Sequence, residues 1–342
     1  MKTQKRIKRW AFLLTLLLCI GALALPAAAA TDRPVLTLGG VPFGVRFTTE
    51  GILVVSYCDV HSGGRDQNPA RDAGLRPGDC ICRVGEHKIE TATELTEVIQ
   101  QNGQQPLTLF YKREGREQAA TLTPLPCDED GRLRTGLFVR DAGAGIGTVT
   151  FVREDGSFGG LGHGICDGES GALIPLSRGS VMGVTLGDIH KGVAGTPGEL
   201  RGHFSAERMG VLTQNTACGV FGHLTTCPTG LGDKLPIAYR NEVCEGAATL
   251  RCTLDNGAPR EYTVEITAIR KQADGNKCFT VHVTDPDLLA KTGGIVQGMS
   301  GSPIIQDGKI VGAVTHVLIN DPTTGYGIFI ENMLSNMAVA LS

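Results

Sequence analysis

The chain has 342 residues, 41% of them hydrophobic and 20% charged, with a formal net charge of −3. That profile excludes a disordered polar chain, and 47 glycines without a fixed period exclude a collagen. Glycine at about twice its usual share of ~7% points to many tight turns between short strands, and so to a mainly β protein.

The first thirty residues stand apart. Lys2, Lys5, Arg6, Lys8 and Arg9 form a basic head, Trp10 to Leu25 form an apolar run, and Pro26 and four alanines follow. This is the build of a secretory signal peptide with cleavage near Ala28 to Ala30. The apolar run falls just short of the ~17 to 25 residues that span a bilayer, so an uncleaved signal anchor is the other reading. Residues 1–30 carry no acid, which leaves the remainder near −8. An acidic body with no basic cluster argues against nucleic acid as a partner. No later segment reaches the length of a span, so membrane contact is expected only through the N-terminal segment. Ten cysteines follow Cys19, with no CxxC pair among them. A body of this size does not need disulfides, so mostly free, buried thiols are expected.

Between 35 and 123 the signals are dense. Gly51 to Asp59 alternates like a strand, Ala73 to Asp79 (AGLRPGD) is a turn, and Cys80 to Val84 is a strand. Thr91 and Glu94 make a capping box for a helix with Leu95, Val98 and Ile99 on one face, ended by Gly103. Strands Pro106 to Lys112 and Gln118 to Pro124 close the unit. The stretches GLRPGDCICRVGEHKI and GGVPFGVRF resemble a PDZ domain of the bacterial type, assigned to residues 31–125. The resemblance implies a peptide ligand, or the chain's own N-terminal segment, added as a strand beside Val45 to Phe47. Backbone N–H groups of the Pro42, Phe43, Gly44 loop would hold its end. A filled groove without a ligand is the alternative.

Pro124-Leu-Pro126 and the polar CDEDG after it mark a boundary, and residues 126–342 form the second domain. Short strands at Gly147 to Arg153, Ala248 to Leu254, Tyr262 to Ile269 and Cys278 to Val283 alternate with Asp-Gly and Asn-Gly turns. Helical pattern returns only at Ile330 to Leu341. A sandwich or a pair of barrels is expected.

The sharpest local feature is Gly298-Met-Ser300-Gly-Ser-Pro303. Its glycines leave the Ser300 hydroxyl open and let backbone N–H groups converge, which is what stabilising a tetrahedral oxyanion requires. Too little chain remains for an acid and a histidine to follow, so the base is expected upstream. His163, framed by glycines in FGGLGHGICD, is the best placed; His61, His87 and His282 sit in ordinary strands or turns. For the orienting carboxylate the spacing leaves Asp285 and Asp167 open, the latter being close enough to His163 to serve a local turn instead.

These stretches, with VTDPDLLAKTGGIVQGMSGSPIIQDGKIVGAVTHVLINDP and the PDZ-like unit, resemble the stage IV sporulation protein B peptidase family, PDZ-containing serine proteases of endospore-forming bacteria. The resemblance implies His163 as general base, Asp285 as orienting acid and Ser300 as nucleophile. It also implies a divergent chymotrypsin-like double β-barrel, with the amides of Gly298 and Ser300 as oxyanion hole and Thr315, His316 and Val317 bordering the specificity pocket. The activity implied is that of an exported serine endopeptidase acting between forespore and mother cell. It would cleave itself and a membrane-associated regulatory subunit of a protease complex that activates a late sigma factor. No cofactor and no metal is called for: His163, Cys166, Asp167 and the remaining histidines lack HExxH or CxxC spacing. A non-catalytic secreted PDZ adaptor is the competing reading.

Overall fold

The computed structural model describes residues 33–339, so the signal segment lies outside the described residues. Strand β1 (Val35–Leu38) leads into β2 (Pro42–Tyr57), which is 16 residues long. The hairpin β3 (Val60–Ser62) and β4 (Arg65–Gln67) and helix α1 (Pro69–Asp72) follow. Next come β5 (Cys80–Val84), β6 (His87–Lys88), α2 (Ala92–Asn102), β7 (Leu107–Arg113) and β8 (Arg116–Leu122). The expected capping box forms: Thr91 Oγ1 accepts from the Glu94 N–H, and the Glu94 carboxylate accepts from the Thr91 N–H. Leu95 and Ile99 of α2 are buried against Ile52, Val54, Leu75, Ile81 and Leu109, which is the core of the PDZ unit.

The chain continues through β9 (Leu125–Pro126), β10 (Leu133–Arg134), β11 (Leu137–Val152), β12 (Ser157–Gly160), β13 (Leu176–His190), β14 (Glu199–Thr216) and β15 (Gly219–Leu224). Six strands then close on themselves in the order β2, β11, β12, β15, β14, β13, with β13 pairing back to β2. Phe43, Val45, Val149, Phe158, Val181 and Val220 fill this first barrel. Strand β16 (Lys234–Pro236) pairs with β1. A second closed barrel runs β17 (Gly246–Cys252), β18 (Arg260–Thr267), β19 (Phe279–Val283), β22 (Asp321–Phe329), β21 (Lys309–Leu318) and β20 (Pro303–Gln306). Helix α3 (Pro286–Thr292) lies between β19 and β20 in sequence, and α4 (Ile330–Val339) follows β22. The double β-barrel expected from the resemblance is therefore what the chain adopts.

The PDZ unit and the first barrel share a strand, because β2 serves both. Its first half pairs with β11 and β13 inside the first barrel, while Ile52 and Leu53 pair with β5 of the PDZ sheet. One expectation needs correction, the peptide-binding edge at Pro42, Phe43, Gly44, Val45 and Phe47. Residues Phe43 to Phe47 are not a free groove edge: Val45 pairs with Gly145 on one side and Val181 on the other, and Phe47 with Gly143 and Gly179. Phe43 and Val45 are fully buried. With both edges of this segment taken, no peptide adds there. In the PDZ sheet the place beside Leu53 to Tyr57 is instead held by Leu137 to Arg140 of β11.

The ten cysteines of the body are all free thiols. Half of them are buried; Cys58, Cys166, Cys227 and Cys244 are exposed and Cys82 lies between. Among the described residues, no helix is long and apolar enough to cross a membrane.

Candidate active site

The nucleophile loop hangs between the barrels. Gly298 and Gly301 both stand at φ 95, in the region that favours glycine. A Cβ at Gly301 would fall on the Thr148 carbonyl and the Leu161 N–H, so glycine is what lets the loop lie against the first barrel. Thr148 of β11 holds it there, donating from N–H to the Ser300 carbonyl (2.9 Å) and from Oγ1 to the Gly298 carbonyl (2.8 Å). Thr150 Oγ1 donates to the Gly301 carbonyl (2.7 Å). The Ser300 hydroxyl donates to the Thr315 carbonyl (2.7 Å) on β21. Among the described residues, the N–H groups of Gly298 and Ser300 have no hydrogen-bond partner.

His163 follows β12, in a turn begun by Leu161 at φ 63, a conformation uncommon for leucine. Asn215 of β14 fixes this turn. Its side chain accepts from the Ile165 N–H and donates to the carbonyls of Ile165 and Ile174, at 2.8 to 2.9 Å. His163 Nδ1 lies 2.8 Å from the Gly164 carbonyl. A carbonyl only accepts, so Nδ1 carries the proton and Nε2 keeps a free lone pair. Burial pushes the His163 pKa below its usual range, opposed in part by that carbonyl. The imidazole is neutral at pH 7.

His163, Ser300, Gly298, Thr315, His316 and Val317 line one cavity of about 440 Å³, with apolar walls from Val45, Phe47, Ile146, Ile295 and Val296. No carboxylate lines it. His316 of β21 faces His163, with ring centroids 4.7 Å apart and planes tilted by 36°. Burial, then the neighbouring His163, then Lys277 push the His316 pKa down to about 4.

The carboxylates expected to orient His163 stand elsewhere. Asp285 is the N-cap of α3: Oδ1 accepts from the N–H groups of Asp287 and Leu288, and Oδ2 from the Thr263 N–H. Asp285 is not among the residues lining the cavity of His163 and Ser300, so the structure does not bring the expected acid to the base. Asp167 fails for a similar reason. It accepts from Glu169 and Ser170 in its own turn and pairs with Arg140 at 2.9 Å. Burial works to raise its pKa, but those hydrogen bonds and Arg140 bring it below the usual carboxylate range. His61 pairs with Asp66 at the surface, and His282 lies against Thr324. Among the described residues, no group of three His, Cys, Asp or Glu side chains could hold a metal. Sequence motifs mark His163 and Ser300; nothing in the sequence marks Thr148 or Asn215, whose roles arise only when β11 and β14 close the barrel.

The chain matches the HhoB serine protease of Synechocystis sp. at 38% identity over 96 residues, 28% of this chain and 21% of that protein. It matches the zinc metalloprotease RasP of Geobacillus kaustophilus at 24% over 152 residues, 36% of each. It spans between 13% and 36% of the length of the curated relatives it matches. Among solved structures, the active form of the Rv3671c protease from M. tuberculosis matches with TM-score 0.33 and 13% identity over 57% of this chain and 74% of that one. The PDZ domain of the SdrC-like protein from Listeria monocytogenes matches with TM-score 0.22 and 20% identity, over 27% and 90%. The PDZ family model covers residues 42–123, and the model for the SpoIVB peptidase S55 covers 131–334. With well over half of its length matched by the latter, the chain belongs to the SpoIVB peptidase S55 family and carries a PDZ domain.

Proposed function

We propose that the chain is an exported endopeptidase in which Ser300 attacks the scissile carbonyl and His163 takes its proton. The observation that carries this reading is that a glycine-framed serine from one barrel and a glycine-framed histidine from the other line the same apolar cavity. The hydroxyl of Ser300 leaves the Thr315 carbonyl, turns to His163 Nε2 and adds to the carbonyl carbon. The unpartnered N–H groups of Gly298 and Ser300 receive the oxyanion, each such donor contributing roughly 100-fold or more in rate. His163 then passes its proton to the leaving amine, and water completes the cycle. Thr315, His316 and Val317, with Ile295 and Val296, form the wall against which the residue before the scissile bond packs, which favours an apolar side chain there.

We propose further, with the family assignment as support, that the protein acts in sporulation signalling between forespore and mother cell, cleaving itself and the regulatory subunit of a membrane protease complex that activates a late sigma factor. The test is to incubate the full chain, with and without Ser300→Ala, with a general protein substrate and to follow fragments by mass spectrometry. Cleavage of self or substrate by the unaltered protein alone supports the reading. Equal fragmentation by the Ser300→Ala protein refutes it.

A further inference from the structure

We propose that His316 is a positioning residue for His163, its ring face holding the base in register with Ser300 in a site whose cavity contains no carboxylate. The proposal rests on the serine peptidase reading above and goes beyond it by assigning the support of the base.

His163 is poorly supported from its own side. The residues before and after it are glycines, which offer no side-chain wall, and the Gly164 carbonyl fixes the tautomer with one hydrogen bond but not the tilt of the ring. The wall comes from the opposite barrel. His316 lies at 4.7 Å and 36° to His163, a tilted arrangement at the close end of the range for packed rings. The residue before it, Thr315, accepts the Ser300 hydroxyl. Two adjacent residues of β21 therefore fix nucleophile and base relative to each other, although Ser300 and His163 belong to different barrels. Thr315 is itself anchored, its hydroxyl donating to the Asn276 carbonyl at 2.8 Å and lying 3.2 Å from that of Tyr326.

The ring nitrogen argues the same way. His316 Nδ1 is buried and makes no hydrogen bond. The contact this ring does make is with the His163 ring. Around the pair, the other titratable groups are Cys166, which lines the cavity, Tyr326, the cross-strand partner of His316, and Lys277, whose ammonium lies over the Tyr326 ring and acts on His316. Neutral His316 lets His163 accept a proton without a second cation beside it.

The experiment uses the full chain carrying His316→Ala, His316→Phe or His316→Gln, each checked for folding by circular dichroism. Loss of the wall lets the base wander, and misplacement of this kind costs about 100-fold in rate. His316→Ala should lower kcat by about that factor, over and above any rise in KM from the lost pocket wall, and move the rising limb of kcat/KM to higher pH as water reaches His163. His316→Phe, which restores a flat ring, should recover most of kcat, and His316→Gln should not. A change in KM and substrate preference with kcat intact would make His316 a pocket wall only and overturn the proposal. Rescue by Gln instead of Phe would overturn it too. A readout independent of turnover separates the two readings: in the Ser300→Ala background, the NMR titration midpoint of His163 should rise when His316 becomes Ala. An unmoved midpoint overturns the proposal whatever the activity; a chain that cleaves nothing while the midpoint moves overturns the peptidase reading alone.

Discussion

At the scale of single residues, Asp285 separates two accounts of the site by their consequences. As an N-cap accepting three backbone N–H groups, it contributes stability to α3; as a triad acid it would contribute about 10⁴-fold in rate. Asparagine keeps the cap of α3 through its one oxygen, loses the bond from the Thr263 N–H, and is a poor acid. Asp285→Asn should therefore keep kcat within a few-fold, while Asp285→Ala should lose roughly 1 kcal/mol of stability by denaturant titration and still cleave. A fall of several orders of magnitude in Asp285→Asn would restore the triad. Ser300 and His163 were legible in the sequence because glycines on both sides of a polar residue signal a local backbone requirement. The carboxylate was not: its identity depends on which strand ends meet, and a Thr-Asp-Pro sequence reads equally well as a helix cap.

At the scale of elements, β11 joins the PDZ unit to the nucleophile loop. Its first residues pair with the PDZ half of β2, and Thr148 and Thr150 near its far end hold Gly298, Ser300 and Gly301. Asp141, at the irregularity between, accepts from the Ala92 N–H at the start of α2 (2.7 Å) and from Thr49 Oγ1 through its carbonyl (3.2 Å). A fragment ending at residue 125 lacks the strand that fills its sheet, so it should exchange its amide hydrogens faster through Leu53 to Tyr57 than the full chain does. Equal protection in both would show that β11 is dispensable to the PDZ fold. Gly301→Ala should fail to seat the loop against Thr148 and Leu161, with loss of cleavage and a lowered Tm measured by calorimetry. The capping box of α2 and the turn before β5 were readable because they are local chemistry. The sharing of β2 was not: a strand's two partners are chosen by packing over long sequence separations, and GGVPFGVRF alternates in the same way whether its edge is free or covered. The long hairpin of β13 and β14 was missed because much of it is only half-buried and so carries a weak apolar pattern.

At the scale of the whole molecule, the site is made by two barrels meeting, and its two facing histidines are both depressed by burial. In the unfolded chain each takes a proton near the usual 6.5. Between that value and about 4, the unfolded chain therefore binds more protons than the folded one, and stability falls as pH falls through this window. Tm should drop on acidification from pH 7 toward 4.5, and His316→Phe should flatten part of that slope. A Tm independent of pH in the same range would mean that these rings are not held neutral by burial. The same depression keeps His163 competent as a base below pH 6.5.

The most direct test of the central claim is to react the full chain with a serine-directed fluorophosphonate and to map the adduct by peptide mass spectrometry. The account predicts one adduct, on Ser300, whose formation is slowed severalfold or more by His163→Ala and little affected by Asp285→Asn. No adduct on Ser300, or one that forms at the same rate without His163, would contradict it and leave a PDZ adaptor with an idle serine.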